Sequence, residues 1–261
     1  MTDFTKTKSF LGGASIGTLG GLIGLGGAEF RLPFLVGVLR IDTLHAIMIN
    51  LLISLVTVSF SLLFRGIDER VLGEMPIVLN LLAGTLIGAW LGANYASRID
   101  KTRLKKLIFI LLVFLSFVLL SHVFFAFDEG LRLGMWMQIS LGFILGIGIG
   151  MISSLLGVAG GELLIPVIVL LYGVDIKLAG TLSLAISFPT LLIGIYKYHK
   201  NRRLQEVYGF KEVLVFMAIG SIIGAFLGSL FVGIVPSSAL EIGLGIILLL
   251  SAYKIFKKKE K

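Results

Sequence analysis

A glutamate follows a run of glycines in each of two long apolar stretches, and chemistry is expected at this pair of sites. Glu29 lies in GLGGAEFRLP at 24–33, and Glu162 lies in GVAGGELLIP at 157–166. An ionised side chain at bilayer depth costs about 2.5–3.5 kcal/mol on insertion scales, so its presence there indicates a function. A carboxyl group at this place can carry a proton during transport, or it can cap the N-terminus of a helix. Both roles stay open at the level of sequence.

Arg31 makes the two stretches unequal, because the matching residue of the second stretch is Leu164. A guanidinium group suits bidentate contacts with an oxyanion, which would make Arg31 a substrate ligand. It can instead pair with Glu29, or its long side chain can reach toward the cytoplasmic surface of the membrane. We favour a structural partnership slightly and keep Arg31 among the candidate ligands.

The glycines before each glutamate are expected to break a helix at membrane depth. Such a break lets the chain turn sharply and lets a ligand approach the backbone. The half-helix that restarts after the break presents free N–H groups and the positive end of its dipole, which bind anions. The candidate substrate-binding residues in the two stretches are Gly24, Gly26, Gly27, Ala28 and Arg31, together with Gly157, Gly160 and Gly161. Pro33 and Pro166, four residues after each glutamate, are predicted as helix-break prolines.

A glutamate and an anionic substrate would compete for the N–H donors at such a helix end. A protonated glutamate donates a hydrogen bond and removes the conflict. We therefore expect one or both of Glu29 and Glu162 to be neutral while substrate is bound.

Four small polar residues are predicted to complete the lining of the site. Asn50 and Ser54 lie four residues apart, on one face of a predicted helix, and Ser183 and Ser187 repeat this spacing. Small polar residues also serve as contacts between membrane helices, and this second interpretation stays open.

The chain is predicted to be a duplication, with a first repeat over 1–130 and a second over 131–261 that together form one membrane domain. Residues 17–54 align without a gap over 150–187. GTLIGAWLG at 84–92 aligns later with GSIIGAFLG at 220–228. Matching acids, prolines and segment order indicate an internal repeat rather than a shared composition. The glycines of the later pair have helical spacing, so we assign them to close helix packing.

Composition places the chain among polytopic membrane proteins. Hydrophobic residues make up 57% of the chain and charged residues 15%, against roughly 25% charged residues in a soluble domain. The mean hydropathy is +1.03. Cysteine is absent, which excludes disulfides and cysteine nucleophiles, and we predict no metal site and no cofactor. The basic residues lie in short loops beside apolar segments, which is typical of the positive-inside rule and not of nucleic-acid binding.

The apolar segments predict an all-α fold of two homologous repeats, each with a broken or re-entrant helical segment and three transmembrane helices. The segments cover 9–39, 44–64, 75–97 and 104–127 in the first repeat, and 135–172, 176–196, 213–235 and 240–256 in the second. The segment 9–39 is too long for one simple span of about 20 residues and too short for two. If it crosses once, the repeats are parallel. If it forms a re-entrant hairpin, the repeats are inverted.

The distribution of Lys and Arg favours the hairpin topology. With the N-terminus inside, hairpins place 18 basic residues inside and 4 outside, whereas single crossings give 15 and 7. The dense basic loop 98–106 then faces the cytoplasm, and both topologies place the C-terminus inside. We therefore prefer inverted repeats.

The duplicated motifs resemble the TauE/SafE family of sulfite exporters and anion permeases. The resemblance rests on the glycine-break-to-proline motif in both halves, on the Asp-x3-Ala that follows at Asp42 and Asp175, and on the order of segments. It covers nearly the whole chain. It implies a secondary transporter, in the outward direction, for a small sulfur-containing oxyanion such as sulfite or an organosulfonate.

The expected partners are this anionic substrate and membrane lipid, and the sequence is also compatible with a homo-oligomer. The expected location is the plasma membrane of a bacterium or archaeon. An inside-negative potential favours anion exit by about 2.3 kcal/mol per charge per 100 mV. No Walker-type loop is present, so ATP is not the expected energy source. An anion channel is the alternative; an intramembrane enzyme lacks a recognisable nucleophile–base pair or metal cluster.

Overall fold

Helices form the described part of the chain. The computed structural model describes residues 3–95, 109–110, 113–114, 116–117, 120, 134–156, 158–200 and 203–257. The helices are α1 (Asp3–Ile23), α2 (Ala28–Gly37), α3 (Thr43–Arg65), α4 (Glu69–Gly73), α5 (Met75–Tyr95), α6 (Met135–Leu156), α7 (Gly161–Tyr172), α8 (Ile176–Lys200), α9 (Lys211–Phe231) and α10 (Ser237–Lys257). A 3-10 helix covers Arg203–Phe210. The described residues show no strand.

Five stretches of the described residues are long and apolar enough to cross a membrane. They are His45–Arg65, Met75–Gly92, Met135–Ser154, Ile176–Tyr196 and Val207–Phe231. They agree with the predicted segments of α3, α5, α6, α8 and α9. Large exposed apolar side chains such as Trp90, Ile144 and Leu230 cover these helices, as expected of surfaces that face lipid. Much of the predicted segment 104–127 lies outside the described residues.

Each long apolar segment is split into two helices, and the second helix folds back along the first. In the first half, a Cβ on Gly12 of α1 would lie 2.5 Å from the ring of Phe34 in α2. In the second half, Gln138 near the start of α6 donates to Leu171 O near the end of α7 at 3.1 Å. α2 and α7 therefore run back toward the ends at which α1 and α6 began.

The halves interlock through glycine-lined contacts. α1 packs against α9, where a Cβ on Gly21 would lie 2.9 Å from Ala225 Cα. α5 packs against α6 in the same way, with a Cβ on Gly88 2.9 Å from Ile147 Cα. In each pair the first apolar segment of one half lies on the third apolar segment of the other. The close-packing role predicted for the glycines of 84–92 and 220–228 is confirmed.

The glycine contacts also fix the directions of these helices. Along the α1–α9 contact the residue numbers rise together, from Gly13 beside Met217 to Gly21 beside Ala225, so the two helices are parallel. α5 and α6 are parallel by the same criterion.

α3 and α8, which occupy equivalent places in the repeat, run antiparallel to each other. Arg65 at the end of α3 contacts Thr181 near the start of α8. A Cβ on Gly194, toward the end of α8, would lie 3.9 Å from Leu51 near the start of α3. The short helix α7 is buried along nearly its whole length beside α8. The interior of the fold is therefore built from the two broken segments and these two helices.

Two single cysteines test the direction of the helices in the membrane. Glu69 follows the end of α3 and Lys200 ends α8, so these exposed residues lie at opposite ends of the bundle. We expect an impermeant thiol reagent outside the cell to label Glu69→Cys, and to label Lys200→Cys only after permeabilisation, because basic residues concentrate at the Lys200 end. The chain has no cysteine of its own, so each label reports one position. Labelling of Lys200→Cys in intact cells would contradict this orientation.

Candidate functional site

The two breaks contact each other inside the bundle. A Cβ on Gly161 would lie 2.9 Å from Leu25 Cα, and a Cβ on Gly26 would lie 3.3 Å from the Cβ of Ala159. The structure therefore brings together the glycine-rich residues of both halves that the sequence singled out. The predicted ligand Gly157 lies outside the described residues.

The backbone at each break needs glycine. Gly24, Gly26 and Gly27 have φ values of 94°, 76° and 73°, and Gly160 has 79°, all in the left-handed region that side chains disfavour. Gly27 and Gly160 are the N-cap residues of α2 and α7 and offer no capping side chain. The N-cap position itself therefore supplies no polar side chain to accept from the first N–H groups of either helix.

The prolines do not end the helices, which corrects their prediction as helix-break residues. Pro33 lies inside α2 and Pro166 lies inside α7. The glycines make the breaks, because they precede the restarted helices. Each proline lacks an N–H group, so the carbonyl oxygens of Glu29 and Glu162, four residues earlier, lose the helical donor they would otherwise have.

Small polar side chains of α3 and α8 satisfy carbonyl oxygens at the breaks. Asn50 donates to Ala28 O at 3.2 Å, within the first half. Ser183 of the second half donates to Gly24 O of the first half at 3.3 Å. Two of the predicted lining residues thus bind the backbone of the breaks, and Ser183 joins the two repeats.

Arg31 fills the polar space beside the first break. Its side chain is fully buried, with 0% exposure. Nη1 donates to Asn50 Oδ1 at 3.4 Å and to Ser54 Oγ at 2.9 Å. Nη2 donates to Gly26 O at 3.2 Å and to Thr57 Oγ1 at 2.9 Å. The guanidinium group therefore uses four of its five N–H groups on neutral oxygen and does not reach the membrane surface.

The charge of Arg31 has no close counter-ion in the described part of the chain. Its Nε has no hydrogen-bond partner, and no described carboxylate lies within 4.0 Å of the guanidinium. The ion pair with Glu29 considered from the sequence does not form at this distance. The hydrogen bonds of this buried cation go only to neutral oxygens, and its burial carries a large desolvation cost that a bound anion would offset.

Comparison of the halves shows what Arg31 replaces. In the second half, Ser187 donates directly to Ala159 O at 2.9 Å. In the first half, the guanidinium group of Arg31 lies between the equivalent atoms, the hydroxyl of Ser54 and the carbonyl of Gly26. Since Leu164, the counterpart of Arg31, is a buried apolar residue, only the first half has a cation at its break.

The two glutamates differ in their surroundings. Both carboxyl oxygens of Glu29 are buried and make no hydrogen bond, although Glu29 lies in the first turn of α2. Glu29 therefore does not cap the helix by a hydrogen bond. Glu162 lies in the first turn of α7 with 7% of its surface exposed. Burying a carboxylate without hydrogen bonds is costly, and a proton or a ligand relieves that cost.

Thr57 also binds Arg31, although it was not among the predicted site residues. Its spacing from two predicted residues could have identified it. Asn50, Ser54 and Thr57 follow one another at four and three residues, which is the spacing of one helix face. The second half repeats the stripe through Thr190, whose Oγ1 lies 3.1 Å from Thr85 Oγ1 of α5.

Arg65 joins the two halves, a role that the sequence did not indicate. Its guanidinium group donates to Gly21 O at 3.0 Å and Leu22 O at 2.8 Å, in the last turn of α1. It also donates to Lys177 O at 3.1 Å and Thr181 Oγ1 at 2.9 Å, in the first turns of α8. A cation is favourable at the C-terminus of a helix, where carbonyl oxygens lack partners. Arg65 thus holds the end of α1, just before the first break, against the second half.

Metal ligation finds no support in the described ranges, where no three His, Asp or Glu side chains come together. The region around the two breaks is characterised by polar contacts and by the buried charge of Arg31.

The chain matches a known protein family. The family model described as "Sulfite exporter TauE/SafE" matches residues 3–119 and 141–261, and so covers both halves. Searches of curated proteins and of solved structures gave no significant match.

Gly161→Ala tests the contact between the breaks. Its Cβ would meet Leu25, so we expect the breaks to be pushed apart at a cost of about 1–3 kcal/mol, typical of an overpacked core. Gly148→Ala in α6 is the control, because a Cβ there meets nothing within 4 Å and an exposed helix gains up to about 1 kcal/mol from alanine. Thermal unfolding of the purified protein measures both. Equal unfolding temperatures for the two variants would show that the breaks do not touch.

Proposed function

The chain belongs to the sulfite exporter TauE/SafE family, and from this membership we propose that it is a secondary transporter that exports a small sulfur-containing oxyanion, such as sulfite or an organosulfonate. The family consists of transporters and not of enzymes. Together with the apolar helices, it makes the protein an integral membrane protein.

The buried cation at the first break is the observation that carries the proposal. Arg31 presents one unused N–H group, and its buried charge has no described carboxylate within 4.0 Å, beside a break in the membrane interior. An oxyanion bound there supplies the missing acceptor and the counter-charge in one step. Its attraction to the guanidinium group is stronger in this low-dielectric interior than in water, and this attraction offsets part of the cost of desolvating both charges.

The restarted helices support the same substrate class. α2 and α7 both begin at the place where the breaks touch, and the N-terminus of each carries the positive end of a helix dipole. Neither has an N-cap side chain as competitor for its N–H groups. We place the anion between these two helix ends, beside Arg31.

We also propose that the halves are inverted repeats. The antiparallel course of α3 and α8 supports this, as do the two helices that fold back at equivalent places. Inverted repeats around a site of broken helices suit alternating access, in which one set of elements rocks against the other.

Proton coupling is assigned to Glu29 first and to Glu162 second. Both carboxyl oxygens of Glu29 are buried without a hydrogen bond of good geometry, so burial disfavours the ionised form. A proton that binds to Glu29 removes this charge and removes repulsion of the substrate anion. Exit of the anion and movement of the proton are then linked through one region of the protein.

Arg31→Leu tests the substrate site. We expect at least a tenfold loss of sulfite flux in proteoliposomes, because the cation that faces the anion is gone, with little loss of thermal stability, because an apolar replacement of a buried charge is often neutral or stabilising. Leu164→Met, at the equivalent position of the second half, is the matched control and keeps the flux. Sulfite flux at the wild-type rate in Arg31→Leu would refute the assignment. Flux that does not saturate, with large unitary currents, would show an anion channel.

Glu29→Gln tests proton coupling. We expect its flux to lose most of its dependence on pH, because the amide cannot take up a proton, and we expect a smaller effect from Glu162→Gln. Sulfite flux is measured across a pH series with and without an imposed pH gradient. If both variants keep the pH dependence of the wild type, these residues do not carry the coupled proton.

A further inference from the structure

A cavity lies at the end of the bundle where Arg65 is found. Its volume is about 560 Å³, which is within the range of small-ligand pockets. The ends of α3 and α9, the short helix α4 and the start of α8 surround it. Three cationic side chains line it: Arg65, Arg70 and Lys177.

Two of these cations have no partner in the described part of the protein. The side chains of Arg70 and Lys177 make no hydrogen bond and no ion pair with any described residue. Arg65 uses four of its five N–H groups on α1 and α8, which leaves one proton on Nη2.

The two acids that line the cavity already accept hydrogen bonds from other residues. Asp68 caps α4 by accepting from Val71 N at 3.0 Å. Asp175 accepts from Lys177 N at 2.8 Å and from Ser237 Oγ at 2.7 Å. The cavity therefore has three cationic and two acidic side chains. Both acids accept hydrogen bonds, whereas the side chains of Arg70 and Lys177 have no partner among the described residues.

We propose that this cavity is a vestibule that binds a small oxyanion at the outer end of the protein, separate from the site between the breaks. Arg70 and Lys177 hold the anion, and Arg65 forms the floor. The same Arg65 binds the last turn of α1, which directly precedes the first break. The role of the vestibule in transport rests on the proposed function. Its binding of oxyanions is independent of that function.

A cysteine at Val232 measures the charge of the vestibule directly. Val232 lines the cavity, and the chain has no other cysteine. The reconstituted full chain is treated with two methanethiosulfonate reagents, one with a sulfonate and one with a trimethylammonium group. For each thiol, the rate with the sulfonate reagent is divided by the rate with the cationic reagent. We expect this ratio to be higher for Val232→Cys than for free cysteine. Replacing Arg70 and Lys177 together by Gln should lower this ratio about tenfold, since local potential changes encounter rates by 10-fold or more.

Two matched variants sharpen the reading. Asp68→Asn keeps a good N-cap residue and removes one negative charge, so we expect it to raise the ratio severalfold. Lys200→Gln removes a cation at the opposite end of the bundle and should leave the ratio unchanged. An equal ratio in the Arg70/Lys177 double variant and in Lys200→Gln would overturn the vestibule.

Competition and transport complete the experiment. Sulfate should slow the sulfonate reagent in a saturable way, in excess of chloride at equal ionic strength, and the double variant should lose this protection. Protection no better than that of chloride would overturn specific oxyanion binding. In flux assays the double variant should raise the KM for sulfite several-fold from the outer side, with kcat retained. If the charge ratio and the protection hold while the wild type moves no sulfite, the proposed function fails and the vestibule stands.

Discussion

The whole arrangement depends on one constraint: backbone interrupted inside a bilayer must find its hydrogen-bond partners within the protein, since lipid offers none. The breaks after α1 and α6 leave carbonyl and N–H groups without helical partners. Asn50, Ser183 and Ser187 supply donors to three of those carbonyls. Because these donors lie on α3 and α8, the two helices cannot move away from the breaks without exposing polar backbone to lipid.

Close packing of glycine makes the constraint satisfiable. Where α1 meets α9, and where α5 meets α6, a Cβ at the interface would collide with the neighbouring backbone. The helices approach closely enough for each half to hold the broken segment of the other. Arg65 of α3 adds a further link between the halves. It caps the last turn of α1 and also binds the first turn of α8.

The sequence allowed the breaks, the duplication and the glycine contacts to be predicted, because each depends on residues that are close together or repeat at a fixed distance. The distribution of Lys and Arg favoured hairpins over single crossings, but a charge count carries no information about tertiary contacts such as that of Gly12 with Phe34. The surroundings of Arg31 were equally hidden. Its partners come from a helix that begins twelve residues later, and two of its three alternatives, an ion pair with Glu29 and a surface position, are not adopted. The prediction that Pro33 breaks the helix was wrong, because a proline in the first turns of a helix and a proline at a helix boundary look alike in sequence.

Arg31 has a further consequence if the halves are inverted copies. In such a transporter the inward-open and outward-open forms arise when the two halves exchange conformations, so identical halves would give two end states of equal energy. A guanidinium group beside one break and leucine beside the other remove that equality. The resting equilibrium of the empty protein is then biased toward one side of the membrane by the same residue to which we assign the substrate anion.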